Sequence, residues 1–277
     1  MNNLVNIAIQ TQQKNLASPA VFTLEQTGDG SGIATIRFES SADVDITLSN
    51  SQVFYSDSGA TIPIGATWTV TSGALRTAYI KLSVASCTMT IADATLITGW
   101  GTSESDGWVS STNAPKISGN LEAFTNLTQL MIYGNSTLTG DIATLSSTNT
   151  IRIHYANRTT YSTRAWSVVL AFIVVAESGY SWSVADISQC LIDLSSATWG
   201  GVKRVGLASP HSSMADTNQG GIWGDFNEGD SPSALATALK VLVKGKNVTI
   251  SLNGITLPGE TGDGSGFPAG FGDWWRS

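Results

Sequence analysis

The stretch ISGNLEAFTNLTQLMIYGNST (117–137) is followed at once by LTGDIATLSSTNTIRIHYANR (138–158), and the two share an apolar pattern at an offset of 21 residues. Ile117 matches Leu138, Gly119 matches Gly140, Leu121 matches Ile142 and Phe124 matches Leu145. Leu130 matches Ile151 and Ile132 matches Ile153, whereas Leu127 meets Thr148, a mismatch that weakens the second copy. A pattern repeated at this period marks stacked turns with one strand each, whose inward Leu and Ile side chains form a continuous core. Each turn buries its face only against its neighbours, so two turns cannot stand alone and the flanking segments must continue the stack.

The C-terminal flank supplies that continuation. WSVVLAFIVV (166–175) reads as a third, more apolar strand at a similar spacing. SVADISQCLIDLS (183–195) opens with Ser183 and has Asp186 three residues on, a start of the capping-box kind, and Ile187, Leu191 and Leu194 follow a helical period. VKRVGLAS (202–209) reads as the next strand. SPSALATALKVLV (231–243) reads as a second helix with Ser231 as N-cap, Pro232 at the first helical position and Gly245 as the stop, and NVTISLN (247–253) as the last strand. Each crossover is long enough for parallel pairing, so residues 101–258 read as one curved α/β solenoid with a parallel sheet.

The N-terminal flank has a different period. FTLEQ, IATIRFES, DVDITLSN, TWTVTSG, AYIKLSV and TMTIAD alternate apolar and polar residues between Gly, Ser, Asp and Pro turns, so residues 19–100 read as a small β-sandwich. Residues 1–18 are polar with a short apolar patch, Leu4, Val5, Ile7 and Ile9, which buries little by itself and reads as an arm for attachment or oligomerisation. Residues 259–277 form a tail rich in Gly and aromatics. The fold class expected is mixed β and α/β: an N-terminal β-sandwich followed by a short irregular solenoid.

Composition narrows the function. Of 277 residues 42% are hydrophobic and only 13% charged, against roughly 25% charged in an ordinary soluble domain. Ser, Thr, Asn and Gly supply the polarity, which suits an extracellular or virion β protein. The net charge is −7, and the nearest approach to a basic patch is Lys240, Lys244 and Lys246 at one helix end. Nucleic-acid binding needs a basic footprint, so none is expected. No apolar run approaches the ~18 residues of a membrane span. The start, MNNLVNIAIQTQQKN, lacks a basic region and does not read as a secretory signal. Cys87 and Cys190 lack metal-ligand spacing and read as small buried hydrophobes.

Catalytic signatures are weak. His154 falls in the strand of the second repeat at the place of Tyr133 in the first, where both read as outward residues, either plain surface or ligand-facing. His211 lies in a loop with only abundant hydroxyls for company. GDFNEGDS (224–231) holds Asp225 and Asp230 but departs from the EF-hand pattern, so an acidic turn before a helix N-terminus is the simpler reading than a bound cation. TGDGSG occurs twice, at 27–32 and 261–266; neither copy has the frame of a phosphate loop, and the first reads as a hairpin-like turn. Asn126, Asn135, Asn157 and Asn247 open Asn-x-Ser/Thr triplets that composition alone explains. Trp199, Trp223, Trp274 and Trp275 stand beside Gly or Asp in expected loops, suited either to stacking on sugar rings or to packing and subunit interfaces. No catalytic residue, cofactor or metal is expected.

ISGNLEAFTNLTQLMIYGN with LTGDIATLS, and the later ISQCLIDLSSATWGGVKRVGLASP and ALKVLVKGKNVTISLNG, resemble the degenerate leucine-rich-repeat-like segments of virion structural proteins from phages of Bacteroidetes, crAss-like phages among them. The resemblance covers roughly 117–253. It implies a non-enzymatic protein on the virion surface: a head fibre, a capsid decoration or a tail fibre. Its partners would be other virion proteins through the N-terminal region, further copies of itself as a dimer or trimer, and a host surface polysaccharide. The alternatives are a bacterial leucine-rich-repeat surface adhesin and, further off, a polysaccharide depolymerase.

Overall fold

Alternating burial sets out the first strand, β1 (Ala20–Glu25): Ala20, Phe22 and Leu24 are buried while Val21, Thr23 and Glu25 face out. The structure is a computed structural model that describes residues 18–102, 105–134, 136–154, 158–175, 182–201, 203–208, 234–252 and 255–256. Among them, the same alternation runs through β2 (Ala34–Ser40), β3 (Val44–Leu48), β6 (Thr67–Val70), β7 (Arg76–Ile80) and β8 (Ser86–Ile91). These six strands are the six expected between residues 19 and 100. Two short ones, β4 (Phe54–Tyr55) and β5 (Pro63–Gly65), form an additional hairpin. Beyond them lie β9 (Ile97–Thr102), β10 (Ser105–Asp106), β11 (Trp108–Val109), β12 (Lys116–Asn120), β13 (Gln129–Tyr133), β14 (Ser136–Thr139) and β15 (Thr150–His154). The remainder are β16 (Val168–Val169), β17 (Ala171–Val175), β18 (Thr198–Trp199), β19 (Arg204–Ala208), β20 (Thr249–Leu252) and β21 (Ile255–Thr256).

The described residues form a β-rich mixed fold with two large sheets. One has the order β14-β12-β1-β8-β3-β6. The other has 13 strands along the path β21-β20-β19-β17-β15-β13-β11-β2-β7-β4-β5, with β9 lying between β2 and β13 and β10 paired to β9. Both sheets run straight through residue 100, where the sequence reading divides the chain. β1 takes β12 as an antiparallel neighbour, and β12 takes β14 in parallel. β9 and β11 are antiparallel to β2 but parallel to β13, so the large sheet changes from antiparallel to parallel at that point. One hydrophobic cluster runs from Ala20 to Ile250. Trp100 is its hinge: its ring meets Phe22 at 5.3 Å, Phe38 at 5.1 Å and Phe124 at 5.5 Å. Its indole N–H, which burial would otherwise leave unpaired, donates to the Gly107 carbonyl at 3.1 Å.

The 21-residue offset holds in the long parallel strands. Leu130 pairs with Ile151 and Ile151 with Phe172, while Ile132 pairs with Ile153 and Ile153 with Val174. All six are buried. In the short strands the offset is 19: Ile117 lies beside Ser136 and Gly119 beside Leu138, instead of Ile117 beside Leu138. A slip of two preserves which residues face inward, because strand side chains alternate with period two. WSVVLAFIVV is two strands rather than one. It breaks at Leu170, whose amide donates to Asn149 at 2.9 Å, and β16 leaves to pair with β18.

The helix Val184–Ser196 has its capping box: the Ser183 hydroxyl accepts from the Asp186 amide at 3.1 Å and the Asp186 carboxylate accepts from the Ser183 amide at 3.2 Å. The second helix, Ala234–Lys240, continues as a π-helical turn, Val241–Gly245. Its expected cap at Ser231 and Pro232 lies outside the described residues, as do the arm with Leu4, Val5, Ile7 and Ile9 and the tail 259–277.

The first TGDGSG is a turn fastened to the loop 112–114. Thr27 Oγ1 donates to the carbonyls of Thr112 (2.9 Å) and Ala114 (2.7 Å), and the Gly32 amide donates to Asn113 at 3.0 Å. Gly28 and Gly30 have φ of 55° and 70°, and a Cβ on Gly28 or Gly32 would run into Asn113. The second copy lies outside the described residues.

Candidate ligand-facing surface

Val109, Tyr133 and His154 occupy one register line across β11, β13 and β15. Tyr133 is 42% exposed while Leu130 and Ile132, on the other face of the same strand, are fully buried; Met131 shares the Tyr133 face and is buried, so that face opens only at the end of the strand. Its carbonyl accepts from the Ser110 amide at 3.2 Å. The chain then leaves through Gly134 at φ 116°, where a Cβ would collide with Ser110. The two repeat-related residues singled out in the sequence are thus brought side by side.

Trp199 is placed differently from its expected loop. It belongs to β18, only 9% of it is exposed, and its indole N–H donates to the Leu194 carbonyl at 3.1 Å at the end of the first helix. It is a packing residue: the glycines after it form the turn, and the indole points inward. Trp223, Trp274, Trp275, His211, Asp225 and Asp230 lie outside the described residues. Among the described residues, no group of three or more His, Cys, Asp or Glu stands together to hold a metal ion. Cys87 and Cys190 are free and buried; burial pushes the Cys87 thiol up to about 11 and the Cys190 thiol well above its ordinary value, with Asp193 adding to the latter.

A polar network between the third turn and the first helix has no motif in the sequence. Asp193 Oδ2 accepts from the Tyr161 hydroxyl (2.9 Å), the Arg164 amide (2.7 Å) and the Thr163 hydroxyl (3.3 Å), and Oδ1 accepts from Gln189 (2.7 Å). The Tyr161 oxygen in turn accepts from the Trp166 indole at 2.9 Å. Arg164 stacks on Trp166 at 3.6 Å and donates to the carbonyls of Leu145 (2.5 Å), Ser146 (2.8 Å) and Thr148 (2.8 Å). Burial holds its guanidinium near 10, below the usual arginine range. Desolvation first, and then the negative charge nearby, drive the Tyr161 phenol upward, so its proton stays on the oxygen. Four donors fill the Asp193 carboxylate, and the assembly works as a clamp between turns rather than as an acid–base pair.

The outer face of the six-stranded sheet is lined with short hydroxyl side chains. Thr23 has Ser118 on one side and Thr88 on the other, and Ser118 has Thr137 beyond it. In the next row Thr90 lies between Val21 and Thr47, and Thr67 follows. The strands lie ~4.8 Å apart, so the rows form a continuous field of methyl and hydroxyl groups. β-Branched threonine suits this pleated, half-covered surface by its stiff χ1. Asp45 is tied down there by the Thr69 hydroxyl at 2.6 Å. Such a face offers hydrogen bonds and shape, with Glu25, Lys116 and Asp45 as its few charges.

No family model, curated protein or solved structure matches this chain.

Proposed function

We propose that the chain is a non-enzymatic structural protein displayed on a virion surface as a head fibre, capsid decoration or tail fibre, and that it contributes to adhesion to host surface polysaccharide. In this reading residues 101–258 are a short irregular leucine-rich-repeat-like solenoid, the arm 1–18 attaches the chain to other virion proteins, and copies associate as a dimer or trimer. The observation that carries the reading is the in-register ladder of Leu130, Ile151 and Phe172, repeated at 21 residues, with Tyr133 exposed beside His154 at its end. A repeat stack of this kind turns a short period into a broad, rigid surface, which is what a displayed binding protein uses. The threonine-rich face supports the same reading, since it presents area with few charges and both signs among them.

The experiment is density-gradient fractionation of particles that carry the gene, followed by external protease. The chain is expected to migrate with the particles and to be cleaved from outside. A chain that stays with free protein, or is shielded from protease in intact particles, contradicts the reading. Capsular polysaccharide incubated with purified protein is expected to give no new reducing ends; their appearance favours a depolymerase.

A further inference from the structure

The parallel half of the large sheet is free of carboxylates. β13, β15, β17, β19 and β20 hold no Asp or Glu, in a chain with 21 of them and a net charge of −7. They do hold arginine, and Arg152 stands in the middle of β15. Ile151 and Ile153 on either side of it are fully buried in the core. Alternation therefore turns Arg152 to the opposite face of the sheet, the face that carries Tyr133. Its register neighbours there are Met131 on β13 and Ile173 on β17, with Gly206 beyond on β19. None of the three can neutralise a guanidinium.

The Arg152 side chain is half-buried, and its Nε is shut off from solvent with no hydrogen-bond partner. Trp108 Nε1 and Thr137 Oγ1 are likewise buried and unpaired among the described residues, but both belong to neutral side chains. A buried donor on a cation is the most destabilising kind to leave unmade. Arg164 shows the contrast: it spends its guanidinium on three carbonyls and the Trp166 ring. Packing supplies no reason for a cation at position 152, since a methionine would fill the same row beside Met131 and Ile173 without an orphaned donor. A polar group kept against the interest of stability marks a place that a ligand completes.

We propose that Arg152 binds the carboxylate of a uronic acid residue in a host polysaccharide, with Tyr133 against the sugar ring. The inference rests on the adhesion reading above and names its ligand class. A guanidinium presents parallel donors in one plane, which a carboxylate meets with its two oxygens. Tyr133 is one strand over and two residues further along than Arg152, about 8 Å between Cα atoms by strand geometry. Two long side chains at that separation can close on one pyranose ring and the carboxylate it bears. Tyr133 is exposed where the face opens, and a phenol ring covers the apolar side of a sugar while its hydroxyl stays wet. Arg152 lies one register step inside that opening, where lower exposure to water strengthens the ion pair. A bare anion such as phosphate would use Arg152 and gain nothing from Tyr133.

Isothermal titration of the full chain with polygalacturonate, its fully methyl-esterified form and inorganic phosphate tests this. Polygalacturonate is expected to bind; the ester, which has the same sugars without the charge, and phosphate at the same concentration are expected not to. Arg152→Met should lose about tenfold or more in affinity while its melting temperature stays the same or rises, because the orphaned donor is gone. Arg152→Lys keeps the charge without the fork and should lose several-fold. Tyr133→Ala should also lose several-fold. Lys81→Gln, which removes one exposed positive charge outside the parallel strands, should bind as the parent does. No binding of polygalacturonate, equal binding of the ester or of phosphate, or full affinity in Arg152→Met or Arg152→Lys overturns the proposal. A melting temperature lowered by several degrees in Arg152→Met also overturns it, by showing that the side chain serves the fold. Particle location is measured separately, so failure here leaves the virion assignment standing.

Discussion

Arg164 holds three carbonyls of the preceding turn at once, and no other residue type presents donors in that fork. Arg164→Gln should cost about 2–4 kcal/mol in urea unfolding, because buried carbonyls lose charge-assisted donors. Arg164→Lys should recover only part of the loss; full recovery would show that charge alone matters. The two thiols give a pH prediction. Their ordinary value is 9.0, and burial raises Cys87 to about 11 and holds Cys190 well above the ordinary value. A raised value means that the folded state keeps protons the unfolded state releases. Their stabilisation is complete below pH 9 and is lost as pH rises above it, by up to about 1.4 kcal/mol per pH unit for each thiol. Replacing Cys87 and Cys190 by Ala should flatten unfolding midpoints measured between pH 8 and 10; an unchanged slope would exclude the thiols as its source. At this scale the sequence is a partial guide. The Thr148 mismatch looks like decay of the repeat, yet Thr148 is buried and its hydroxyl donates to the Leu127 carbonyl one turn earlier at 2.6 Å.

That bond ties consecutive turns, so Thr148→Val, which keeps the shape, should cost about 1 kcal/mol in thermal or urea unfolding. A neutral or stabilising effect would show the hydroxyl to be incidental. Gly119 is the matching constraint in β12: a Cβ there would enter the Phe22 ring of β1, so Gly119→Ala should cost about 1–3 kcal/mol by overpacking, read in the same unfolding experiment. Element positions are legible in the sequence wherever alternation or helical period is clean, as in β1, β2, β8 and the capped first helix. Register is legible only modulo two, which explains an offset of 21 in the long strands and 19 in the short ones. WSVVLAFIVV carries no alternation, so nothing in it marks the break at Leu170. β4 and β5 are too short to leave a period at all.

The largest departure from the sequence reading is at the scale of the molecule. Which strands pair across sixty or ninety residues is not written in local pattern, so the placing of β12 beside β1 is invisible, and with it the continuous core at Trp100. A chain ending at residue 100 would lose β12 and β14 from one sheet and the whole parallel half of the other. It should be unfolded, and the full chain should show one calorimetric transition for the described body; two separated transitions would restore the division at 100. The candidate surface divides the same way. Tyr133 and His154 follow from the repeat, whereas Trp199 beside two glycines resembles a loop residue and is buried. The measurement that tests the functional account most directly is a cryo-electron reconstruction of intact particles. The account predicts density for this chain outside the shell, anchored at one end and with the ends of the parallel strands turned to solvent. A chain absent from the particle, or lying inside the shell, would contradict it.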